Sequence, residues 1–470
     1  LNNGPKDLIG NSGKGKEYAY RSYFGRVMYS YADRYLFQAN IRHDGSSRFA
    51  KKHRWGTFPS FSAGWVLSEE NFMKNLNWEW LSFLKIRATW GALGNERIGD
   101  FPYMSTIAFG NTIFYQNNGI YFDQTASQQK YAIENVTWEK TESTDIGLDI
   151  SFLNNRLRVN GDYYWKNTKD MLLAMAIPDF LGFSDPDVNA GKMSTKGYEL
   201  NVSWNDHIGD FSYGIAINFS DFTSKMGDLQ GTQFLGDKVK MEGSEFNEWY
   251  GYVSDGLFLT EEDLKNSPKI NDKNTQLGDI KYKDISGPDG VPDGKISPEY
   301  DRVLLGSSLP HFLYGGNINL GYKNFDLSLA FQGVGKQNAR LAREMVEPFR
   351  NNYGNFPAII DGNYWSPYNT DEQNAVAKYP RLTHVNKSSN YAMSDYWLFN
   401  GGYFRLKNIT LGYTFPKEWM NAIGIKGARI YASASDLFCL SKYPKGWDPE
   451  MGVSEYPITT SILLGVSVNF

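Results

Sequence analysis

Few residues in this sequence have the types and spacing to support chemistry. Gly10-Asn11-Ser12-Gly13-Lys14-Gly15-Lys16 is one residue short of a phosphate-binding loop, in which a Ser or Thr after the Lys holds Mg²⁺. Glu17 stands in that place, and its carboxylate would repel phosphate, so a loop is the expectation here. Asp289-Gly290-Val291-Pro292-Asp293-Gly294, with Asp284 before it and Asp301 after it, has the spaced carboxylates and turn glycines of a calcium loop. Val291 fills a ligand position and Tyr300 replaces the bidentate Glu. Asp289 and Asp293 are therefore weak candidates for a structural calcium ion, set against a solvated Asp-Gly turn. No other cofactor is expected. The acidic pairs Glu69-Glu70 and Glu261-Glu262 show no facing carboxylate at a readable separation, which glycoside hydrolysis needs. No G-x-S-x-G elbow occurs, and five His with the single Cys439 give no zinc spacing. The chain is not expected to be an enzyme.

What remains is recognition. Tyr364-Trp365 and Tyr396-Trp397 lie, like Trp249-Tyr250, in long segments between regular elements. Their flat faces could stack on sugar rings or pack peptide side chains, although the same rings serve equally to pack loops together. Trp365, Trp397, Tyr364 and Tyr396 are the candidate substrate-binding residues. Nucleic acid is not an expected partner, because a formal net charge of −4 offers no basic field to its backbone.

The elements that must position these residues are strands. Thirty Phe, 31 Tyr, 13 Trp and 46 Gly favour strands and tight turns, and no run of apolar residues is long enough for a transmembrane helix. Period-two alternation is clean: Phe211, Tyr213, Ile215, Ile217 and Phe219 oppose Ser212, Gly214, Ala216, Asn218 and Ser220. Phe325, Leu327, Leu329 and Phe331 oppose Asp326, Ser328, Ala330 and Gln332 in the same way. Thirteen strands are predicted, near residues 18–31, 34–43, 58–67, 82–93, 140–152, 156–167, 195–205, 210–221, 312–322, 324–334, 402–415, 428–436 and 460–470. Short turns and long connections alternate between them, the longest being residues 222–311 and 335–401. That is the arrangement of an outer-membrane barrel, with short periplasmic turns and long extracellular loops. A soluble or surface-attached glycan-binding sandwich or propeller also alternates, and is the competing expectation. Lys85, Arg87, Arg158 and Lys166 fall on the lumenal side. Single-chain bacterial barrels have an even strand number and start at the periplasm, so thirteen strands ending on Phe470 read as the C-terminal part of a larger barrel. Residues 1–16 then form the tail of an extracellular loop, and 17–470 the barrel.

Several phrases carry a family resemblance. Arg42-His43-Asp44-Gly45-Ser46-Ser47-Arg48-Phe49, Trp55-Gly56-Thr57-Phe58-Pro59-Ser60, Leu84 to Gly91 with Gly94-Asn95, Trp138-Glu139-Lys140-Thr141, Gly278 to Asp284, Tyr322 to Asp326, Arg405 to Tyr413 and Asp448-Pro449-Glu450 resemble the SusC/RagA-like group of TonB-dependent outer-membrane transporters. The resemblance runs from about residue 20 to Phe470. It implies an all-β transmembrane antiparallel barrel of about 22 strands, plugged by an N-terminal domain, in the outer membrane of a Gram-negative cell and in contact with its lipid. It implies a SusD-like surface lipoprotein as lid, a glycan or oligopeptide as cargo, and energy delivered by TonB. The plug and the TonB-contacting segment are not recognisable in this chain, so TonB contact is expected through an N-terminal part outside it.

Overall fold

A computed structural model of the chain describes residues 15, 17–116, 119–128, 131–175, 179–231, 233–350, 356–452 and 455–470. The expected loop tail and the Gly10–Lys16 segment lie almost wholly outside these residues. Thirteen long strands form one sheet: β1 (Tyr20–Tyr31), β2 (Tyr35–Ser46), β3 (Trp55–Val66), β4 (Leu81–Asn95), β5 (Glu139–Phe152), β6 (Leu157–Lys169) and β7 (Met193–Ile208). They continue as β8 (Phe211–Met226), β9 (His311–Tyr322), β10 (Phe325–Lys336), β11 (Tyr403–Thr414), β12 (Gly427–Ser441) and β13 (Ser461–Asn469). Each strand pairs only with its chain neighbours, so the sheet is an antiparallel meander whose outer strands are β1 and β13. All thirteen predicted strands are present, several of them longer than expected: β8 continues to Met226 and β12 to Ser441.

The two faces of this sheet differ chemically. Across β4 and β5, Ala88 pairs with Ile146 and Ile86 with Leu148 on one face. Such apolar side chains stay open, with Ile146 at 50% and Ile217 at 47% exposure. A sandwich would cover them with a second sheet, and the remaining sheets among the described residues have only two or three strands. A lipid environment accounts for a wide apolar face that the protein leaves uncovered. Stacked rings edge this face on both rims. Tyr35 lies 6.3 Å from Tyr31 and 6.4 Å from Trp65 at the short-turn rim, and Trp55 lies 5.9 Å from Tyr23 at the opposite one. Such aromatic girdles mark the two membrane interfaces.

The opposite face is polar and paired. Arg87 reaches Asp145, Asp149 and Asp162 at 3.6, 3.3 and 2.6 Å, and Lys85 reaches Asp149 at 3.6 Å. Gly147 makes room for this cluster, since a Cβ there would sit 2.4 Å from the Arg87 guanidinium carbon. Nearer the long-loop rim, β11 and β12 carry register shifts around Lys407 and Asp436, and Asp436 has φ of 51°. Such bulges re-aim side chains. Lys407 meets Asp436 at 2.7 Å, while Arg405, only 3% exposed, meets Asp448 at 2.6 Å and Glu450 at 2.7 Å. Residues 442–460, between β12 and β13, are thereby tied to the wall by two of the sequence phrases, Arg405-Leu406-Lys407 and Asp448-Pro449-Glu450.

All the short turns, at residues 32–34, 153–156, 209–210 and 323–324, lie on one rim. Ala32 and Asp33 both have positive φ, the geometry that matches the twist of a tight hairpin. Connections 67–80 and 415–426 on this rim each hold a short helix, Asn71–Asn75 and Lys417–Ala422. Residues 47–54, 96–138, 170–192, 227–310, 337–402 and 442–460 connect strands on the other rim. There a two-stranded hairpin, Ile107–Gln116 with Gly119–Gln128, lies in the connection 96–138 between β4 and β5.

Candidate functional site

The long connections 227–310 and 337–402 fold as one body. Tyr252, Leu257, Ile280, Tyr282 and Ile296 from the first share a core with Met345, Val346, Ile360, Tyr391 and Trp397 from the second. Each segment thus supplies half of the core that the other packs against. At the centre, Asp279 is fully buried. It accepts hydrogen bonds from Arg381 Nε at 2.7 Å and Nη2 at 3.1 Å, Asn386 Nδ2 at 2.8 Å, Asn390 Nδ2 at 2.9 Å and the Gln276 backbone N–H at 2.9 Å. Both carboxylate oxygens are thereby supplied with donors, two of them from a charged guanidinium. The Gly278 to Asp284 phrase is the strand and turn that deliver it: Tyr282 Oη donates to the Ser389 carbonyl at 2.7 Å, and Ile280 N–H to Asn390 Oδ1 at 3.0 Å.

The four aromatic candidates separate into two kinds. Trp397 is 2% exposed; its ring stacks on Tyr391 at 5.1 Å, and its Nε1–H donates to the Asn390 carbonyl at 2.9 Å. Tyr396 packs edge-on against Trp397 at 5.2 Å and donates its hydroxyl to the Lys378 carbonyl at 2.8 Å. Burial pushes the Tyr396 and Tyr391 phenols above the usual tyrosine range. These rings hold the body together, and Trp397 offers no open face. Tyr364 and Trp365 are half-buried and line a cleft of about 720 Å³ with Glu261, Gln276, Tyr368 and Arg381. Trp365 lies flat against the Gly278 backbone, whose φ is +82°, and a Cβ at Gly278 would come within 2.3 Å of the ring. Tyr368, which sequence reasoning passed over because no Trp stands beside it, is 96% exposed at the mouth of this cleft.

The calcium candidates sit on the same body. Asp289 and Asp293 are exposed. Asp293 Oδ1 accepts from the Lys295 N–H at 3.0 Å, and Asp284 Oδ2 from the Gly294 N–H at 2.6 Å. Asp301, fully buried, is engaged by the N–H groups of Ile285, Ser286 and Ser297 at 2.7, 3.2 and 2.7 Å. Among the described residues, no group of three His, Cys, Asp or Glu side chains is arranged to hold a metal ion.

Three comparisons bear on this arrangement. Residues 2–437 match the model of a family described as TonB dependent receptor-like, beta-barrel. The TonB-dependent receptor SusC of Bacteroides thetaiotaomicron is 32% identical over 468 residues, which is 96% of this chain and 43% of that protein. The TonB-dependent receptor P3 of Formosa agariphila is 31% identical over 453 residues, 91% of this chain and 42% of its own. This chain thus spans less than half the length of these curated relatives. Among solved structures, the RagAB peptide transporter superposes with a TM-score of 0.78 at 23% identity, covering 96% of this chain and 47% of that one. That likeness shows the same fold.

Proposed function

Because the chain belongs to the TonB-dependent receptor-like β-barrel family of the outer membrane, we propose that it forms the C-terminal wall and the outer mouth of a nutrient importer. Cargo is held at the rim built by residues 227–310 and 337–402, a SusD-like lipoprotein closes over that rim, and TonB supplies energy through an N-terminal part outside this chain. A glycan or an oligopeptide is the cargo class. The observation that carries the reading is the asymmetry of the rims: one has turns of a few residues, while the other carries an interlocked body with its own core and an aromatic cleft.

Within that cleft Tyr364, Trp365 and Tyr368 are the stacking faces, and Trp397 and Tyr396 are the support that fixes them. An open indole or phenol ring offers apolar area with little rotamer entropy to lose. The test is binding and uptake by the full-length protein in native outer membranes, using a panel of oligosaccharides and oligopeptides. The double variant Trp365→Ala/Tyr368→Ala should weaken the bound member of the panel by roughly ten-fold or more while the barrel remains inserted. Unchanged affinity and uptake would place the cargo elsewhere.

A further inference from the structure

A second cavity, of about 390 Å³, opens where three long connections meet. Lys238 and Trp249 come from 227–310, Asn338, Arg340 and Arg343 from 337–402, and Tyr443 from 442–460. Its wall is cationic, and most of that charge is already matched. Arg340 pairs with Asp237, Arg343 with Glu347 and Arg350 with Glu344. Lys238 is the exception. Its ammonium lies 4.6 Å from the Trp249 ring centre, the side chain is exposed, and no carboxylate among the described residues comes within ion-pair distance. The indole itself is fixed, since Nε1–H donates to the Asn338 carbonyl at 2.6 Å. Arg340 also has donor capacity to spare: one nitrogen faces Asp237, another the Tyr391 carbonyl, and Nε–H has no acceptor.

Resting on the import reading above, we propose that this cavity is the subsite for a carboxylate carried by the cargo, with Lys238 its charged contact and the Trp249 edge its apolar one. Cationic donors in excess of the protein's own acceptors, held beside a fixed ring, suit an anion attached to an apolar or sugar skeleton. A carboxylate accepts charge-assisted bonds, which are stronger than neutral ones. Two sources carry this chemistry, the uronate of an acidic oligosaccharide and the free C-terminus of a peptide.

Binding to the full-length protein in detergent tests this with paired probes: tetragalacturonate against its methyl ester, and a hexapeptide mixture against its C-terminal amides. The wild type should prefer the carboxylate member of one pair by roughly ten-fold, and raised salt should erode the preference. Lys238→Gln should abolish that preference and Lys238→Arg should restore most of it, with affinity for the neutral member unchanged. Equal binding of the acid and neutral members of both pairs, including no binding of either, would overturn the subsite. A preference that survives Lys238→Gln would do the same. Acid and neutral probes that bind equally, and both lose affinity in Trp365→Ala/Tyr368→Ala, would leave the import reading intact while the carboxylate subsite fell. Loss of lipoprotein retention in Lys238→Gln, with the carboxylate preference kept, would assign the cation to the partner's surface instead.

Discussion

Asp279→Ala should separate the loops from the barrel. The variant leaves Arg381, 14% exposed at its side chain, facing no carboxylate, and deprives Asn386 and Asn390 of their acceptor. Removing one partner of a buried pair typically costs about 3 to 5 kcal/mol. Here the donors to Asp279 are Gln276, Arg381, Asn386 and Asn390, none of them in a barrel strand, so we predict that the cost falls on the loop body alone. Such a loss raises the open population by roughly a hundred- to a few-thousand-fold. Limited trypsin digestion of the protein in detergent reads that population when opening and closing are faster than cutting. Cleavage within residues 227–310 and 337–402 should accelerate by about that factor, while the heat-dependent gel shift of the folded barrel stays at its wild-type temperature. Asp279→Asn, which keeps one acceptor and the shape, should fall between. Loops cut no faster in Asp279→Ala than in the wild type would refute the interlock. Joint loss of barrel and loops would refute the division between them.

The remaining expectations are independent of that one. Leu329→Arg places a charge on the apolar face, where its neighbours are Ile318 and Ile409, and should destabilise by about 2 to 4 kcal/mol if it lies near the bilayer midplane; Ser328→Arg on the polar face should cost much less in the same refolding assay, and equal losses would contradict the assignment of faces. Trp397→Ala should cost about 3 to 5 kcal/mol of loop-body stability as a large buried ring is lost, whereas Trp365→Ala should act mainly on affinity, so a hydrogen-exchange map showing equal loosening in both would contradict the division of roles. Burial works against ionisation of the Asp448 carboxyl, but the Arg405 guanidinium and the Glu450 backbone N–H outweigh it and hold it below the usual range. That stabilisation is present above the unfolded carboxyl pKa of about 4 and is lost as pH falls through the lower folded value, so proteolysis of residues 442–460 should rise only below about pH 4, and a rise centred near neutrality would contradict this. Calcium should leave the melting temperature unmoved, because Asp301 is engaged by backbone N–H groups and Asp289 and Asp293 are exposed; an increase abolished by Asp293→Asn would restore a calcium loop.

The strands were legible because lipid demands one apolar row per strand, and Phe211 to Phe219 shows that row without interruption. Their upper ends were not. Beyond Ser220 the continuation Asp221-Phe222-Thr223-Ser224-Lys225-Met226 has left the apolar layer and loses the alternation, although the ladder pairs on to Met226. Which aromatic rings stay open was not legible. Tyr364-Trp365 and Tyr396-Trp397 look alike as dipeptides, and what separates them is tertiary: Trp397 meets Tyr391 and Tyr379 on its faces, while Trp365 meets a glycine backbone and a cleft. Similarly, Arg405 and Asp448 each stood out in a phrase of their own, yet their contact joins a strand to a distant connection, which no single-strand pattern encodes.

The unequal rims also set where new sequence can be admitted. At Lys323-Asn324 one inserted residue would shift the next strand by one place and turn its lipid row toward the lumen, so that edge tolerates almost no change of length. At the opposite edge the chain is held in register only at the feet of each connection. Lengthening a connection roughly ten-fold, as from 47–54 to 227–310, adds only about 2 kcal/mol of closure entropy. Insertions, duplications and exchanges are thus filtered by side: descendants of this sequence can rewrite the surface that meets the environment while inheriting the wall unchanged.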